Sequence, residues 1–348
     1  MAHPEPVIRV VSLLPSATDT VSAIIKKSRD HGGEDLPFEL CGCTHECDLP
    51  DTTTVSSGGT VRLTQSRIGD IPIDDIELAF NSSVAAIDEF MTLRQPLAIP
   101  LIQFGLSAYE LDIDELCRIK PDVILTCLQT AHSCILEGEL ATYAFESVLG
   151  YVPRVVHTEG QTLEEVYQDM LKISEAVGVG GLGRALVASM RDDMERIGAS
   201  VRRALSGSGA ASPMSVSVVW WASPVMAASA WVQDMLDLLG VRNVGDDWKH
   251  ASMVVWCLCG LGIDVTEREA RKLVARAARG CSTSGQTGSN EGCNPSAGSS
   301  ARQRMAAMDG VRHLSRPGPL LVESMQCLAD IIVLGGVQAE GSSDWRWI

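Results

Sequence analysis

The densest group of chemically capable side chains lies in residues 41–48, whose sequence is CGCTHECD. In an extended segment side chains alternate between two faces, so positions 41, 43, 45 and 47 would share one face. Three thiols and an imidazole form a soft ligand set suited to zinc or copper(I). The residues of this candidate metal site are Cys41, Cys43, His45 and Cys47. Adjacent strand positions close a tetrahedron poorly, so buried cysteines beside a polar loop are the alternative interpretation.

A second group follows the apolar run at residues 122–128, which reads as a strand. It consists of Cys127, Gln129, His132 and Cys134. Ligands bind where parallel strands end, and this position favours a binding role. The alternative places Cys127 in the core, with His132 capping a helix or facing water.

Tryptophans and two further cysteines mark the second half of the chain. Trp220, Trp221 and Trp231 offer flat surfaces on which a macrocyclic or aromatic ligand could stack, although aromatic residues on strands and helices are more often part of the core. Cys257 and Cys259 follow the apolar run 253–258, and lone buried thiols are the favoured interpretation there.

Two basic residues lie beside predicted turns. Arg67 and Arg316 could neutralise a carboxylate or a phosphate, or could simply be solvated at the surface. The sequence contains no Walker loop, no Gly-x-Ser-x-Gly elbow and no dinucleotide-binding glycine motif after a strand. No nucleophile is convincingly paired with a base, so we expect a protein without enzymatic activity.

The elements that must position these residues alternate between strand and helix. Residues 8–14 read as a strand, and residues 15–19 as a turn into a helix. Further predicted strands cover residues 38–44, 98–103, 122–128 and 154–157, with a helix at 113–119. From residue 162 apolar residues recur every three or four positions, which predicts a long helical segment interrupted at 178–183. Strands and helices then resume at 216–221, 230–239, 253–258, 266–278 and 320–329.

This alternation predicts an α/β protein made of two Rossmann-like α/β lobes with parallel sheets, bridged by a long helix. The predicted parts are an N-terminal lobe at 7–160, a bridging helical segment at 161–206 and a C-terminal lobe at 213–335. Within the last, residues 280–300 are rich in Gly, Ser, Asn and Thr, which predicts a mobile linker. Two lobes facing a cleft favour the capture of a small molecule.

Composition excludes several classes of protein. The 348 residues include 28 Lys and Arg against 44 Asp and Glu, a net charge of −16, which argues against nucleic acid or an anionic membrane as the main partner. No apolar run approaches the ~20 residues needed to cross a bilayer. The first residues lack the pattern of a secretory leader, and eleven cysteines without regular spacing fit a reducing compartment. We therefore expect a cytoplasmic protein, and a monomer.

Six segments together resemble the substrate-binding proteins of ABC importers for cobalamin and ferric siderophores, in particular a cobalamin-binding-protein-like branch. They are VSLLPSATD at 11–19, HECDLP at 45–50, SRI at 66–68, PDVILT at 121–126, CGL at 259–261 and SRPGP at 315–319. The resemblance is continuous from about residue 7 to residue 194 and patchy afterwards. One departure is Ser229-Ala230-Trp231, where the family usually has Gly-His-Trp.

The resemblance implies a protein that captures cobalamin or a related corrinoid or metal chelate in the cleft between the lobes. It also implies no covalently bound cofactor and an ABC-type importer as a possible partner. The positions expected to contact the ligand are Pro15, Ser16, His45, Glu46, Cys47, Asp48, Arg67, Cys127, Gln129, His132, Cys134, Trp231, Cys259 and Arg316. The other hypothesis is a thiol-based metal-binding or redox protein that uses the 41–47 cysteines.

Overall fold

The computed structural model describes residues 6–30, 32, 35–49, 59–66, 109–127, 138–207, 213–222, 225–280, 303–334 and 343–348. The chain divides into two compact units. Unit 1 comprises Met1–Arg191 and Pro317–Pro319, and unit 2 comprises Asp192–Arg316 and Leu320–Ile348. The strand predicted at 98–103 and nearly all of the linker predicted at 280–300 lie outside the described residues.

The sheet of unit 1 is wholly parallel. The strands of this unit are β1 (Ile8–Ser12), β2 (Phe38–Cys43), β3 (Val61–Arg62), β4 (Thr64–Ser66), β5 (Tyr109–Leu111), β6 (Val123–Cys127) and β7 (Arg154–Thr158). Five of them form the sheet in the order β3-β2-β1-β6-β7, while β4 and β5 form a separate antiparallel pair. With β1 central, the ends of β1 and β2 are brought side by side.

Five helices accompany this sheet in the part of the chain that the structure describes. They are α1 (Pro15–Asp30), α2 (Ile113–Ile119), α3 (Gly138–Leu149), α4 (Leu163–Ala176) and α5 (Gly180–Ser206). The start of α4 is fixed by a capping box in which Thr162 and Glu165 satisfy each other's backbone amides. Gly178, at φ 80°, adopts the left-handed conformation that ends α4 before α5 begins. The predicted interruption of the helical segment is therefore real, and the boundary between the two units falls inside α5.

Both faces of the unit 1 sheet are buried. Val10 and Leu125 belong to one apolar cluster, which includes residues of α1 and α4. Val11 and Ile124, which are adjacent to Val10 and Leu125 in their strands, belong to a second cluster that includes residues of α2 and α3. Alternating side chains thus fill two cores, which is why these strands read as continuous apolar runs in the sequence.

Unit 2 has a mixed sheet with a parallel centre. Its strands are β8 (Ser215–Ala222), β9 (Val225–Ala227), β10 (Arg242–Asn243), β11 (Met253–Trp256), β12 (Arg304–Met308) and β13 (Trp345–Trp347). The order is β10-β8-β11-β12-β13, with β9 on β8. The helices are α6 (Trp231–Leu239), α7 (Ile263–Gly280) and α8 (Leu321–Leu334), with a short 3₁₀ helix at Trp248–His250.

The α/β fold predicted from the sequence is confirmed, with one refinement in unit 2. Strands β9 and β13 are antiparallel to their neighbours β8 and β12, so this sheet is not purely parallel. Strand β12 was not predicted because its sequence, RMAAM, lacks β-branched residues, and β13 lies beyond the predicted end of the lobe at 335. Among the described residues, no helix has the length and apolar character needed to span a membrane.

Candidate functional site

In unit 1 a buried hydrogen-bonded network lies where β1 and β2 end. The Thr18 hydroxyl donates to Ser12 Oγ at 2.8 Å, and the Cys47 thiol donates to Thr18 Oγ1 at 3.1 Å. Thr44 Oγ1 lies 3.0 Å from Cys47 Sγ, and Cys43 is the group that most strongly shifts the pKa of Cys47. We call Ser12, Thr18, Cys43, Thr44 and Cys47 the Cys47 network. All five side chains are buried.

The guanidinium group of Arg62 contacts three members of this network. Arg62 Nη1 donates to the carbonyl oxygens of Thr44 at 2.8 Å and Cys47 at 2.6 Å, and it lies 3.4 Å from Cys43 Sγ. These bonds tie the loop after β2 to β3. Hydrogen bonding from Cys43 is the main cause that lowers the pKa of Cys47 from 9.0 to about 6, and the same bond, with burial, raises the pKa of Cys43. Cys47 is therefore the member that ionises first.

The four candidate metal ligands of the 41–48 segment do not converge. The register of β1 against β2 shifts between Val10 and Val11, and this bulge breaks the alternation of faces at Cys41. Cys41 lies in the apolar cluster with Val11 and Leu63, whereas Cys43 reaches the Cys47 network. His45 is held instead by Thr64, whose Oγ1 lies 2.8 Å from His45 Nδ1 and accepts from the His45 backbone amide at 3.0 Å.

The remaining unit 1 residues predicted to contact ligand lie around the same edge or outside the described residues. Pro15 and Ser16 begin α1 and are buried. Glu46 and Asp48 are exposed in the loop after β2. Cys127 ends β6, where its backbone pairs with Thr158. Four predicted residues lie outside the described part of the chain: Arg67, Gln129, His132 and Cys134.

Gly318 allows the segment Pro317–Pro319 to pack closely against the start of α1. A Cβ atom on Gly318 would stand 3.2 Å from the Ser16 carbonyl oxygen and 3.4 Å from Thr20 Oγ1, both tight contacts. The Pro317–Pro319 segment belongs to unit 1 even though its flanks belong to unit 2. Two of the segments that carry the sequence resemblance, 11–19 and 315–319, therefore meet here.

In unit 2, Trp231 is a buried anchor. Its indole nitrogen donates to the Leu314 carbonyl oxygen at 2.9 Å, its ring centroid lies 5.6 Å from that of Trp220, and it is only 6% exposed. Leu314 adopts φ 61°, so this bond restrains a residue in a conformation that non-glycine residues rarely adopt. Trp231 thereby positions the loop that leads to Arg316, which is also buried.

Cys259 is the exposed thiol of unit 2 among the described residues. It follows β11, and its backbone amide donates to the Trp220 carbonyl oxygen at 3.0 Å. Cys257, two residues earlier, is fully buried and donates to the His313 carbonyl oxygen at 3.4 Å. The two cysteines have different surroundings although residues two apart share a face in a regular strand, because β11 ends at Trp256 and both cysteines lie beyond it.

The structure also assembles a group that the sequence analysis did not single out. His313, Cys327 and Asp344, here called the His313 cluster, place an imidazole nitrogen, a thiol sulfur and a carboxylate oxygen within 4.8 Å of one another. They come from the loop after β12, from α8 and from the residue before β13. Burial lowers the pKa of His313, while burial and nearby carboxylates, Asp344 first, raise the pKa of Cys327 to about 12. No local spacing in the sequence could have revealed this group.

Comparison with known proteins rests on structure. No protein-family model and no curated protein sequence matches the chain. Solved structures with the same fold include a periplasmic heme binding protein from Pseudomonas aeruginosa, with a TM-score of 0.56 and 13% identity over 98% of both chains. The periplasmic vitamin B12 binding protein BtuF of Vibrio cholerae gives 0.51 and 13%, over 96% of this chain and 100% of that chain. The Fe³⁺-Desferal-bound siderophore binding protein FhuD from Vibrio cholerae gives 0.51 and 12%, over 94% and 98%.

The chain thus has the two-lobe α/β fold of periplasmic binding proteins, and the resemblance noted in its sequence is confirmed at the level of the fold. The predicted cytoplasmic location is wrong, because the structures that share the fold are described as periplasmic proteins. That prediction was based on the number of cysteines and on the composition of the first residues. Neither feature depends on the fold that the chain shares with these proteins.

Proposed function

We propose that this chain is a non-enzymatic binding protein that captures a small metal chelate and presents it to an ABC-type importer. The supporting observation is the fold, which covers more than nine-tenths of this chain in structures named for heme, vitamin B12 and a ferric siderophore. These three ligands are all metal chelates, although they differ in shape and charge. An importer partner implies that the protein works outside the cytoplasm.

Residues at the strand ends of each unit supply the proposed contacts. In unit 1 the strand-end loop carries half-buried His45 and exposed Glu46 and Asp48 above the rigid Cys47 network. In unit 2 the corresponding loops carry exposed Cys259 and the restrained segment ending at Arg316. Loops held by a rigid scaffold at the carboxyl ends of parallel strands are where α/β proteins bind ligands.

Cobalamin or a related corrinoid is the ligand that we favour. The segments 11–19 and 45–50 resemble the cobalamin-binding-protein-like branch, and both lie at the edge formed by β1 and β2. A net charge of −16 favours a ligand without a large negative charge. Corrinoids carry peripheral amides, and the exposed carboxylates of Glu46 and Asp48 can accept hydrogen bonds from them.

Calorimetric titration of the full chain with cobalamin, cobinamide, haem and a ferric hydroxamate siderophore tests the proposal. We expect saturable heat with cobalamin or cobinamide and none with the siderophore. Saturation by haem alone would reject the corrinoid and retain a chelate-binding function. No heat with any of the four would reject the function itself.

A pair of histidine variants locates the contact. His45→Ala should weaken binding of the preferred ligand by at least about tenfold, the loss expected for one hydrogen bond to a ligand. His250→Ala is the matched control, because His250 is 80% exposed and lies in the 3₁₀ helix of unit 2. Equal affinities for the two variants would remove His45 from the proposed site.

A thiol function in unit 1 is the second candidate. The observation that favours it is the burial of Cys43 and Cys47 in one network around Arg62, in which the pKa of Cys47 is lowered to about 6. A thiolate is the form of cysteine that binds metals and exchanges with disulfides. Elemental analysis of the purified protein and of Cys43→Ser tests it, since a metal held by this pair would be lost from the variant.

A further inference from the structure

We propose that the His313 cluster is a binding site for a divalent transition-metal ion, with zinc as the preferred ion. The site lies wholly within unit 2 and is independent of the small molecule proposed above. Its three side chains supply one nitrogen, one sulfur and one oxygen ligand. This combination is typical of zinc, which accepts imidazole, thiolate and carboxylate in tetrahedral sites.

The distances fit an ion better than they fit direct hydrogen bonds. His313 Nε2 lies 3.9 Å from Asp344 Oδ2, too far for a hydrogen bond between nitrogen and oxygen. His313 Nε2 also lies 4.0 Å from Cys327 Sγ, at the outer limit of a hydrogen bond to sulfur. A tetrahedral zinc ion with bonds of about 2.0–2.3 Å separates its ligand atoms by about 3.4–3.6 Å. The two pairs that involve His313 would have to shorten by about 0.5 Å, and the Cys327–Asp344 pair, at most 4.8 Å apart, by up to about 1 Å to close the site.

The imidazole is oriented by a partner on its other nitrogen. His313 Nδ1 lies 3.2 Å from Ser324 Oγ, and the Ser324 hydroxyl donates to the Leu320 carbonyl oxygen at 2.9 Å. Because a serine hydroxyl has one proton, Ser324 Oγ accepts from His313 Nδ1–H. The lone pair of Nε2 is then directed towards Cys327 and Asp344. A second partner that fixes the tautomer in this way is typical of histidines that bind metals.

One turn of α8 supplies both groups that face the imidazole. Ser324 and Cys327 are three positions apart, so they share a face of the helix. Ser324 meets Nδ1 and Cys327 approaches Nε2, which places the ring along that face. The helix thus presents one orienting group and one ligand to the same side chain.

Asp344 is held in place by backbone pairing. Its carbonyl oxygen accepts from the Asp309 amide at 2.9 Å, and the next residue, Trp345, pairs with Met308 of β12. The His313 amide in turn donates to the Asp309 carbonyl oxygen at 3.0 Å. His313 is fully buried, whereas the Asp344 side chain is 42% exposed. An ion and a fourth ligand such as water can therefore reach the site from the Asp344 side.

Cobalt(II) is the probe for this site because its absorption reports both geometry and sulfur ligation. The full chain is reduced, freed of metal with a chelator and titrated with cobalt chloride. We expect tetrahedral d–d bands and a thiolate-to-cobalt charge-transfer band that saturate at about one equivalent, and loss of both on adding zinc, which such sites bind more tightly than cobalt.

Two variants assign the ion to its ligands. Asp344→Asn keeps the shape of the side chain and should weaken cobalt binding by at least about tenfold. Cys327→Ser should abolish the charge-transfer band. The matched controls are Asp237→Asn, at an exposed position of α6, and Cys47→Ser, in unit 1; both should bind cobalt as the wild type does.

The titration has outcomes that would overturn the site. Absence of cobalt bands in the wild-type protein would reject it. A charge-transfer band that persists in Cys327→Ser but disappears in Cys47→Ser would place the metal in unit 1. Circular dichroism of each variant shows whether the fold is kept, and Asp344→Asn, which alters a half-exposed residue, gives a folded readout if Cys327→Ser does not fold.

Discussion

Both units hold thiols close to the ends of their parallel strands, yet those thiols have different neighbours. Cys47 in unit 1 is surrounded by hydroxyl groups and a second thiol, and Arg62 binds its loop. Cys327 in unit 2 faces an imidazole lone pair and a carboxylate. Hydroxyls and thiols can both donate and accept hydrogen bonds, so the members of the Cys47 network can serve as hydrogen-bond partners for one another. The second group, the His313 cluster, consists only of acceptors when its thiol has lost the proton, a loss that a bound cation would promote.

The contrast also changes which protonation state each thiol favours. Hydrogen bonding from Cys43 stabilises the thiolate of Cys47, and once Cys47 is ionised the Thr18 hydroxyl can turn from Ser12 and donate to the sulfur, so the pKa falls to about 6. Burial and carboxylates disfavour the thiolate of Cys327, and its pKa rises to about 12. Two buried cysteines in one chain are thus driven in opposite directions by their surroundings.

The largest expected effect is the pH dependence that Cys47 gives to stability. Its folded pKa is about 6, against a usual value of 9.0. Between these values the folded state holds a thiolate while the unfolded state holds a thiol, so the unfolded state binds more protons and stability increases with pH. This contribution is complete above about pH 9 and is lost as pH falls through about 6. The difference in unfolding free energy between wild type and Cys47→Ser should grow with pH by at most about 1.4 kcal/mol per unit.

Denaturant unfolding at a series of pH values between 6 and 9 measures this difference. Cys117→Ser is the control, because burial raises the pKa of the partly exposed Cys117 thiol and it stays protonated in this range. A flat difference for Cys47→Ser would mean that Cys47 is not ionised in the folded protein.

Zinc should stabilise the protein through unit 2. An ion that binds only the folded state at about 100 times its dissociation constant raises the free energy of unfolding by about 2.7 kcal/mol. We expect the melting temperature of the wild type and of Cys47→Ser to rise with zinc, and that of Asp344→Asn to rise much less. Thermal unfolding with and without a chelator measures the shift; an equal rise in Asp344→Asn would contradict the site.

Thr18→Val should break the Cys47 network. The variant keeps the shape of Thr18 but leaves Ser12 Oγ and Cys47 Sγ each without one partner, which should cost about 1–3 kcal/mol of stability and raise the pKa of Cys47. Thr20→Val is the matched control on the same helix, because the Thr20 hydroxyl donates only to the Ser16 carbonyl oxygen within α1. Ultraviolet absorbance of the thiolate against pH follows the pKa, and identical titrations for both variants would exclude Thr18 from the network.

Helices and strands could be predicted from the sequence where the pattern of apolar residues within a short stretch defines them. The apolar run before Pro15 predicted β1, and the recurrence of apolar residues after Thr162 predicted α4 and α5. Residues 15–19, predicted as a turn that leads into a helix, are already the first residues of α1. The placement of side chains at residues 41–48 was not predictable, because it depends on a bulge that shifts register by one residue and leaves no trace in the alternation. The His313 cluster could not be predicted for another reason. Its three residues are far apart in the sequence and meet because β13, at the end of the chain, pairs with β12.

The smallest expected effect concerns Cys41, the thiol that the bulge removes from the Cys47 network. Cys41→Ala deletes one sulfur atom from the cluster around Val11 and Leu63, which should cost about 1 kcal/mol, as removal of a methylene-sized group does. Because Cys41 lies on the other side of the sheet, the Cys47 titration and cobalt binding should both be unchanged. Denaturant unfolding and the two spectroscopic titrations check these expectations together. A shifted Cys47 titration in Cys41→Ala would show that the three cysteines act as one group, as the alternation of residues 41–47 alone suggested.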